Sequence, residues 1–332
     1  MLDPEIQKKL IAEGRNFMKS DSLSPYDDFL SDQDLKLPQP PLVKAPMSEQ
    51  AMPLPRNFNE LDLKNDFITL LTERRSSRVY TQQPISLLQL SFMLWATQGI
   101  KAIRGKSYAT LRTVPSGGAR HPFETYLIVQ HVDGLHPGAY HYLPMGHQLE
   151  FLRPVENLPS VITESLEGQS WAAKASVIFY WSFVAYRCKW RYGISAHRPA
   201  LTDAGHVGQN LYLACAALGL GTCAIAAYDQ AVCDSLFGLD GEEEFTVDAA
   251  RLAPFPRQIR SRKKPFTSSW KMKVYRAICS TCTPGYSHQA RGFGTIEGNY
   301  DSITKQEYRT QLCAPRVQFG NPVNKEVVND QT

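Results

Sequence analysis

A run of arginine and serine residues is the segment of this sequence with the clearest chemical capacity. The segment TERRSSRVY contains Arg74, Arg75, Ser76, Ser77 and Arg78, at the end of a predicted helix. Guanidinium groups carry a fixed positive charge and several N–H donors, and serine hydroxyls add further donors, so such a run suits a bound phosphate group. A solvated basic face is the alternative interpretation, because charge runs are usually that.

A glycine-containing loop is the second candidate. It consists of Pro115, Ser116, Gly117 and Gly118, and it leads into the apolar run TYLIV. Glycine lets the backbone approach a flat ring or an anion closely, and the N–H groups of such a loop can act as donors. Taken alone, a Ser-Gly-Gly sequence is ordinarily a simple turn.

The elements that would position these segments lie between Asp66 and Pro256, where nearly all the periodic apolar segments occur. Helical spacing is found in NDFITLLTERR, ISLLQLSFMLWATQGI, LTDAGHVGQNLYLACAALGLG and DQAVCDSLFG, and strand-like runs are found in TYLIVQHV, ASVIFYWSFV and TCAIAAY. We expect the third helix to begin at Thr202 or Asp203 and to end at Gly219. Because helices and strands are mixed without regular βαβ alternation, the sequence predicts an α+β fold.

Three regions differ in composition. Residues 1–65 begin with a short predicted helix and continue as a proline-rich arm, which proline keeps mostly extended. Residues 66–256 form the predicted compact domain, and residues 257–332 form a basic, irregular extension. We interpret this extension as a solvated tail rather than a nucleic-acid surface, because it has little helix or strand periodicity.

Composition also excludes several classes of protein. The 332 residues are 43% hydrophobic, which excludes wholesale disorder. No apolar stretch reaches the roughly 20 residues of a membrane-spanning helix, and MLDPEIQKKLIAEGR lacks the layout of a signal peptide, so we expect a cytoplasmic protein. Cys279 and Cys282, with His288 and Cys313, form no matched pair of zinc-ligand spacings, and no metal site is predicted.

Six segments taken in order resemble the nitroreductase superfamily, and in particular its SagB-type, thiazole/oxazole-forming dehydrogenase branch. They are RRSSRVY, LLQLSFMLWATQGI, RTVPSGGARHPFETYLIV, GLHPGAYHYLP, LTDAGHVGQNLYLACAALGLGTCAIAAYD and LFGLDGEEEF, which together extend from about Asp66 to Ala250. The resemblance implies a nitroreductase-like α+β fold with a central, mostly antiparallel sheet flanked by helices. It also implies a homodimer that holds flavin mononucleotide (FMN) at its interface.

The resemblance assigns the flavin contacts to particular residues. Phosphate contacts would fall on Arg74, Ser76 and Arg78, together with Arg75. The loop of Pro115, Ser116, Gly117 and Gly118 would line the isoalloxazine ring. The segment containing Gly221, Ala226 and Ala227 would present backbone N–H groups near flavin N5 and O4, where donors stabilise the reduced flavin.

The catalytic residues are less fully matched. Azoline dehydrogenases of this branch carry a Lys-Tyr pair that acts as acid and base beside the flavin, and the matching place here reads KWRYGISAHRP. Tyr192 is present, but Arg191 stands where lysine is expected, and a guanidinium that stays charged is a poor proton acceptor. Lys189 would substitute only with a different local backbone. An ordinary packed aromatic residue is the alternative interpretation of Tyr192.

We therefore predict an FMN-dependent oxidoreductase that works by ping-pong hydride transfer through flavin N5. The direction of electron flow stays open between an azoline-type dehydrogenase and a reductase that uses NAD(P)H as electron donor, with a small molecule or a peptide as substrate. The alternative is a catalytically altered flavin-binding or interaction protein that partners a peptide-modifying complex through its proline-rich arm and basic tail.

Overall fold

The computed structural model describes residues 2–20, 29–79, 81 and 83–254. The chain divides into two compact units, Met1–Lys263 and Lys264–Thr332, and all described residues belong to the first. The predicted extension over residues 257–332, with the four metal-ligand candidates Cys279, Cys282, His288 and Cys313, lies outside the described residues.

The centre of the described unit is a seven-stranded sheet. Its strands are β1 Ala51–Pro53, β4 Phe123–Val129, β5 Gly138–Leu143, β6 Gln148–Arg153, β7 Val177–Val184, β8 Leu220–Ile225 and β9 Glu244–Pro254. Their order is β1-β6-β5-β4-β7-β9-β8, and each neighbouring pair is antiparallel. Strands β2 Ile100–Arg104 and β3 Ala109–Arg112 form a separate hairpin. The mostly antiparallel sheet predicted from the sequence is confirmed.

Seven helices accompany the sheet in the described part of the chain. They are α1 Pro4–Met18, α2 Phe67–Glu73, α3 Leu87–Gln98, α4 Leu158–Ser165, α5 Ala185–Tyr192, α6 His197–Leu218 and α7 Gln230–Phe237. Helix α3 begins at a capping box in which Ser86 and Gln89 each bond the other's backbone N–H, and α6 ends at the left-handed Gly219, as predicted.

The predicted start of α6 is wrong. The helix begins at His197 rather than after Thr202 or Asp203, because Pro199 is tolerated in a first turn and the helix therefore forms upstream of it. Asp203 consequently lies inside the helix and is buried. Its carboxylate therefore does not cap the helix and can accept hydrogen bonds from another part of the protein.

Two apolar cores cover the two faces of the sheet. One contains Leu94 of α3, Leu211 of α6 and Leu127 of β4. The other contains Ile162 of α4 and Phe237 of α7. Because both faces are covered, every residue of β4 and β5 is buried, which explains why the last four residues of β4, Tyr126 to Val129, form a continuous apolar and aromatic run.

The proline-rich arm is held against the domain by buried side chains. Outside the short strand β1, its prolines interrupt any regular hydrogen-bond ladder, so the other backbone groups need partners elsewhere. The backbone N–H of Lys44 donates to the Glu124 carboxylate at 3.0 Å, and that of Met47 donates to Glu150 at 2.9 Å. Trp190 Nε1 donates to the Leu37 carbonyl at 3.0 Å. The arm thus reaches α5, which carries the predicted catalytic pair.

Among the residues that the structure describes, no helix is both long enough and apolar enough to cross a lipid bilayer.

Candidate functional site

The arginine-serine segment runs beside the outermost strand of the sheet. Helix α2 ends at Glu73, so Arg74 to Arg78 leave the helix as extended chain. Ser76 forms a bridge to Thr222 of β8, and the Ser77 N–H donates to the Thr222 carbonyl at 2.9 Å. The predicted phosphate-binding residues are therefore attached to a sheet edge.

Tyr212 of α6 fixes this segment from the other side. Its hydroxyl lies 2.8 Å from the Ser76 hydroxyl and accepts the Ala224 N–H at 3.0 Å. The Arg74 guanidinium lies 5.3 Å from the centre of the Tyr212 ring, in a cation–π arrangement. One phenol thus links the segment, the helix and β8.

Further positive charge lies around Trp171. The guanidinium of Arg78 is 5.9 Å from the ring centre of Trp171, and that of the fully buried Arg251 is 4.1 Å from it. Arg75 is half-buried between Arg74 and Ser76. The surroundings of the arginine-serine segment beside β8 therefore carry a high positive charge, which suits an anionic ligand.

The glycine loop is shaped by hydrogen bonds to its own side chains and to α6. The Gly117 N–H donates to the Asp203 carboxylate at 3.0 Å, and the His121 N–H donates to the Ser116 hydroxyl at 2.9 Å. Gly118 has φ +56°, and the non-glycine residues Ala119 and His121 also have positive φ values of +54° and +45°. Such strained backbone is characteristic of functional loops.

Asp203 anchors this loop in a buried position. Burial raises the pKa of the Asp203 carboxyl above its ordinary value, and the hydrogen bonds from Ser116 and Gly117 only partly offset that rise. The sequence signal for this role is a polar residue in an apolar helix, and the same signal also predicts a helix cap.

The end of α5 packs directly on the loop. A methyl group on Gly118 would lie 2.5 Å from Arg191 Nε and 2.8 Å from the Tyr192 hydroxyl, and one on Gly117 would lie 3.4 Å from that hydroxyl. Only glycine fits both this approach and the positive φ of residue 118. The structure therefore brings together the predicted ring loop and the predicted catalytic pair, Arg191 and Tyr192.

Three residues of this cluster carried no signal in the sequence. Arg191 Nη1 donates to the side-chain oxygen of Gln33 and to the Tyr108 hydroxyl, each at 3.0 Å. Arg120 donates to the carbonyls of Gly118 and Tyr108, each at 3.0 Å. Gln33, Tyr108 and Arg120 come from the arm, the β2–β3 hairpin and the loop before β4, and no sequence spacing relates them.

Lys189 does not replace Arg191 beside Tyr192. Its ammonium group instead pairs with the Glu243 carboxylate at 2.8 Å. The arrangement that the sequence left conditional, a lysine substituting from position 189, is absent from this structure.

The remaining predicted contacts lie on and after β8. Gly221 is buried in the strand opposite Ala253, and Ala226 and Ala227 are exposed just beyond the last strand residue, Ile225. The carbonyl of Ala227 accepts a hydrogen bond from Gln169 at 3.1 Å.

The predicted contacts thus form two groups attached to opposite sides of α6. Asp203 holds the ring loop and Tyr212 holds the arginine-serine segment, and these residues are nine positions apart. Nine residues of α-helix correspond to a rotation of about 180° and a rise of roughly 14 Å. One chain therefore presents the two groups in different directions.

Comparison with known proteins identifies the family. Residues 71–251 match the model of the Nitroreductase family. The chain belongs to the nitroreductase family. The range agrees with the resemblance stated from the sequence, and both segments of the candidate site, 74–78 and 115–118, lie inside it.

Two similar proteins share different lengths of this chain. A protein of Methanocaldococcus jannaschii that is named as a nitroreductase is 34% identical over 159 residues, which cover 48% of this chain and 77% of that protein. The trifolitoxin-processing protein TfxB of Rhizobium leguminosarum biovar trifolii is 27% identical over 136 residues, 39% of this chain and 36% of TfxB. The chain thus matches about a third of TfxB.

A solved nitroreductase-family structure agrees with the fold. The crystal structure of a protein from Ralstonia eutropha JMP134, also named as a nitroreductase, aligns with a TM-score of 0.52 and 25% identity. The alignment covers 66% of this chain and 95% of that chain. The nitroreductase-like fold predicted from the sequence is confirmed.

Proposed function

We propose that this chain is an FMN-dependent oxidoreductase. The observation that carries the proposal is the arginine-serine segment, which the bridge to Thr222 and the Tyr212 hydroxyl hold along β8 within a nitroreductase-family domain. Arg74, Ser76 and Arg78 supply charge-assisted and hydroxyl donors of the kind that a phosphate dianion requires. Arg75 adds a further positive charge.

The glycine loop also fits the flat part of this cofactor. Gly117 and Gly118 add no side chain of their own, so Arg191 and Tyr192 pack directly against their backbone, and Ser116 is held by the His121 N–H. We infer that Pro115, Ser116, Gly117 and Gly118 line the isoalloxazine ring, and that the backbone at Ala226 and Ala227, beyond Gly221, donates to its polar edge. When bound, FMN supplies the hydride chemistry, and the protein supplies binding, orientation and control of protons.

The site would be completed in a homodimer. A single chain directs the ring loop and the phosphate segment to opposite sides of α6, so a second copy would bring the loop of one chain to the segment of the other. Exposed apolar side chains support such an interface. They include Leu201 near the start of α6 and Phe17 of α1, which lies beside it.

The reaction that we favour is SagB-type dehydrogenation of an azoline in a small molecule or a peptide, in a ping-pong cycle. The similarity to TfxB, whose name states a role in trifolitoxin processing, supports a peptide substrate. The reverse assignment, reduction of a substrate with NAD(P)H as donor, uses the same flavin site. Arg191 in place of a lysine favours a second candidate, a flavin-binding partner of a peptide-modifying complex that has lost this chemistry.

The first experiment measures the cofactor. The purified full chain should show the visible absorption of oxidised flavin, and the released flavin should be FMN at about one per subunit. Arg74→Ala should weaken FMN binding by about 10- to 100-fold, because a charge-assisted contact contributes roughly 1.5–3 kcal/mol. Arg15→Ala, on the exposed helix α1, is the matched control and should bind FMN like the wild type.

Anaerobic reduction then separates the reactions. Bleaching of the bound flavin by an azoline-containing peptide supports the dehydrogenase, and bleaching by NADH or NADPH supports the reductase. A protein that binds FMN but is reduced by none of them supports the second candidate. A colourless chain that takes up no added FMN contradicts the proposed function.

A further inference from the structure

The hydroxyl of Tyr108 is surrounded by hydrogen-bond donors. Tyr108 ends the turn between β2 and β3, and its oxygen lies 3.0 Å from Arg191 Nη1 and 3.3 Å from Gln33 Nε2. The Arg120 guanidinium lies 4.9 Å from the centre of its ring. Arginine has no acceptor atom, and the amide nitrogen of Gln33 acts only as a donor.

This environment stabilises an ionised phenol. Burial opposes ionisation, but the hydrogen bond from Gln33 and the charges of Arg191 and Arg120 outweigh it and lower the pKa of Tyr108 below its ordinary value of 10. The carboxylate of Asp34, in the arm, interacts electrostatically with Arg191. The Tyr108 side chain is 36% exposed, so a substrate or solvent can exchange a proton with it.

Tyr108 is connected to the glycine loop through two arginines. Arg120 joins the Gly118 carbonyl to the Tyr108 carbonyl, and the Arg191 side chain packs against Gly118 before it reaches the Tyr108 hydroxyl. A phenol whose ionised form is stabilised by neighbouring donors and positive charges therefore lies one side chain away from the proposed ring-binding loop.

We propose that Tyr108 is the proton acceptor of this site, with Arg191 and Gln33 as its positioning residues. This inference rests on the proposed function. When a substrate is oxidised, one C–H or N–H bond breaks and its proton forms an O–H bond on the Tyr108 phenolate. The second hydrogen leaves with its electron pair as a hydride to FMN, which is the oxidant. In the opposite direction the Tyr108 phenol returns the proton.

The proposal explains the arginine at position 191. A guanidinium cannot accept the proton itself, but its charge and its hydrogen bond lower the pKa of a neighbouring phenol. The role that the resemblance assigns to a lysine would thus be carried by a tyrosine from a different element, and Arg191 would support it.

Ionisation of Tyr108 can be measured without any cofactor. The flavin-free full chain is titrated by tyrosinate absorbance near 295 nm, and the difference between the wild type and Tyr108→Phe isolates one residue. We expect that residue to ionise below pH 10, and Gln33→Leu should move its midpoint upward. Tyr186→Phe is the matched control, because Tyr186 of α5 is equally exposed at 36% but has a raised pKa owing to its hydrogen bond with Asp32.

The reaction provides the second measurement. FMN-loaded Tyr108→Phe should keep the flavin spectrum of the wild type but reduce its flavin about 100- to 10,000-fold more slowly, the usual loss for a general base. It should also lose the limb of the pH–rate profile that reports the phenol. Gln33→Leu should keep that limb and shift it to higher pH, which a purely structural role of Gln33 would not do.

Two results would overturn the inference. Titration of Tyr108 at or above pH 10 is one, and an unchanged pH–rate profile in FMN-loaded Tyr108→Phe is the other. Failure of the wild-type chain to bind FMN removes the proposed function and the proton transfer together. A normal titration of Tyr108 in a chain that does bind FMN removes only the role of Tyr108.

Discussion

At the scale of single residues, Gly118 determines how closely the ring loop and α5 approach each other. Its positive φ and the proximity of the Arg191 and Tyr192 side chains act independently, since one is a property of the backbone and the other of the packing. The two contributions can be separated experimentally because Gly134 has φ +81° but open space around the position of a Cβ.

We expect Gly118→Ala to destabilise the protein and to weaken FMN binding, because the methyl group displaces Arg191. Gly134→Ala should lower the free energy of unfolding by about 1 kcal/mol, because alanine is strained at a positive φ, and it should leave FMN binding unchanged. Chemical denaturation gives the free energy of unfolding of each variant, and flavin fluorescence gives the affinity. Equal losses of stability in the two variants, with wild-type FMN binding, would contradict the close approach described for Gly118.

At the scale of elements, α6 carries the residues that hold both groups of the candidate site. A carboxyl group of β9 with a raised pKa lies beside this helix. Asp248 of β9 lies near Gly208 of α6, where its oxygen would be 3.9 Å from a methyl group at that glycine. Burial raises the pKa of Asp248 to about 7, and the hydrogen bond from the Ala249 N–H only partly compensates.

The raised pKa predicts how stability depends on pH. Between an unfolded-state pKa near 4 and about 7, the folded protein holds a proton that the unfolded chain has lost, so the free energy of unfolding falls as pH rises. Asp248→Asn should remove this fall and be more stable than the wild type at pH 8 by roughly 2–4 kcal/mol. Denaturation of both proteins from pH 4 to pH 8 tests this.

The exposed Asp133 supplies the control for this experiment. Asp133→Asn should leave the pH dependence of the wild type in place. If the stability difference between Asp248→Asn and the wild type does not change with pH, the carboxyl group titrates alike in the folded and unfolded states and the prediction is wrong.

At the scale of the whole molecule, the proposed site depends on a second copy of the chain. The ring loop and the phosphate segment leave α6 in opposite directions, and Leu201 at the start of that helix is 54% exposed. An exposed leucine on a long helix, beside the exposed Phe17 of α1, is the kind of surface that a homodimer covers.

Light scattering should therefore give the wild-type protein twice the mass of one chain. Leu201→Glu should produce monomers and lose FMN together with the dimer, because a charge is placed in an apolar contact. Met145→Glu, in the exposed turn between β5 and β6, is the matched control and should stay dimeric. A monomeric wild type that still binds one FMN would show that one chain suffices.

The family and the α+β class could be predicted from the chain alone, because they depend on local composition and on the order of motifs. The assignment of segments 74–78 and 115–118 to flavin contacts has the same basis and stays a prediction. The helical spacing of ISLLQLSFMLWATQGI also predicted α3, and the observed ends of this helix, at Ser86 and Gly99, lie within that segment. The start of α6 could not be obtained in this way, because Asp203 resembles a cap until its partner, the Gly117 N–H, is known.

The way in which the candidate site is assembled could not be predicted from the sequence. Tyr108 meets Gln33 across 75 positions and Arg191 across 83, and Gln33 meets Arg191 across 158. Contacts over such separations leave no periodicity or spacing in a single sequence, because they depend on how the arm, the hairpin and α5 fold together. The grouping of the predicted contacts on two sides of α6 has the same origin, since it depends on helix geometry and on what packs against each face.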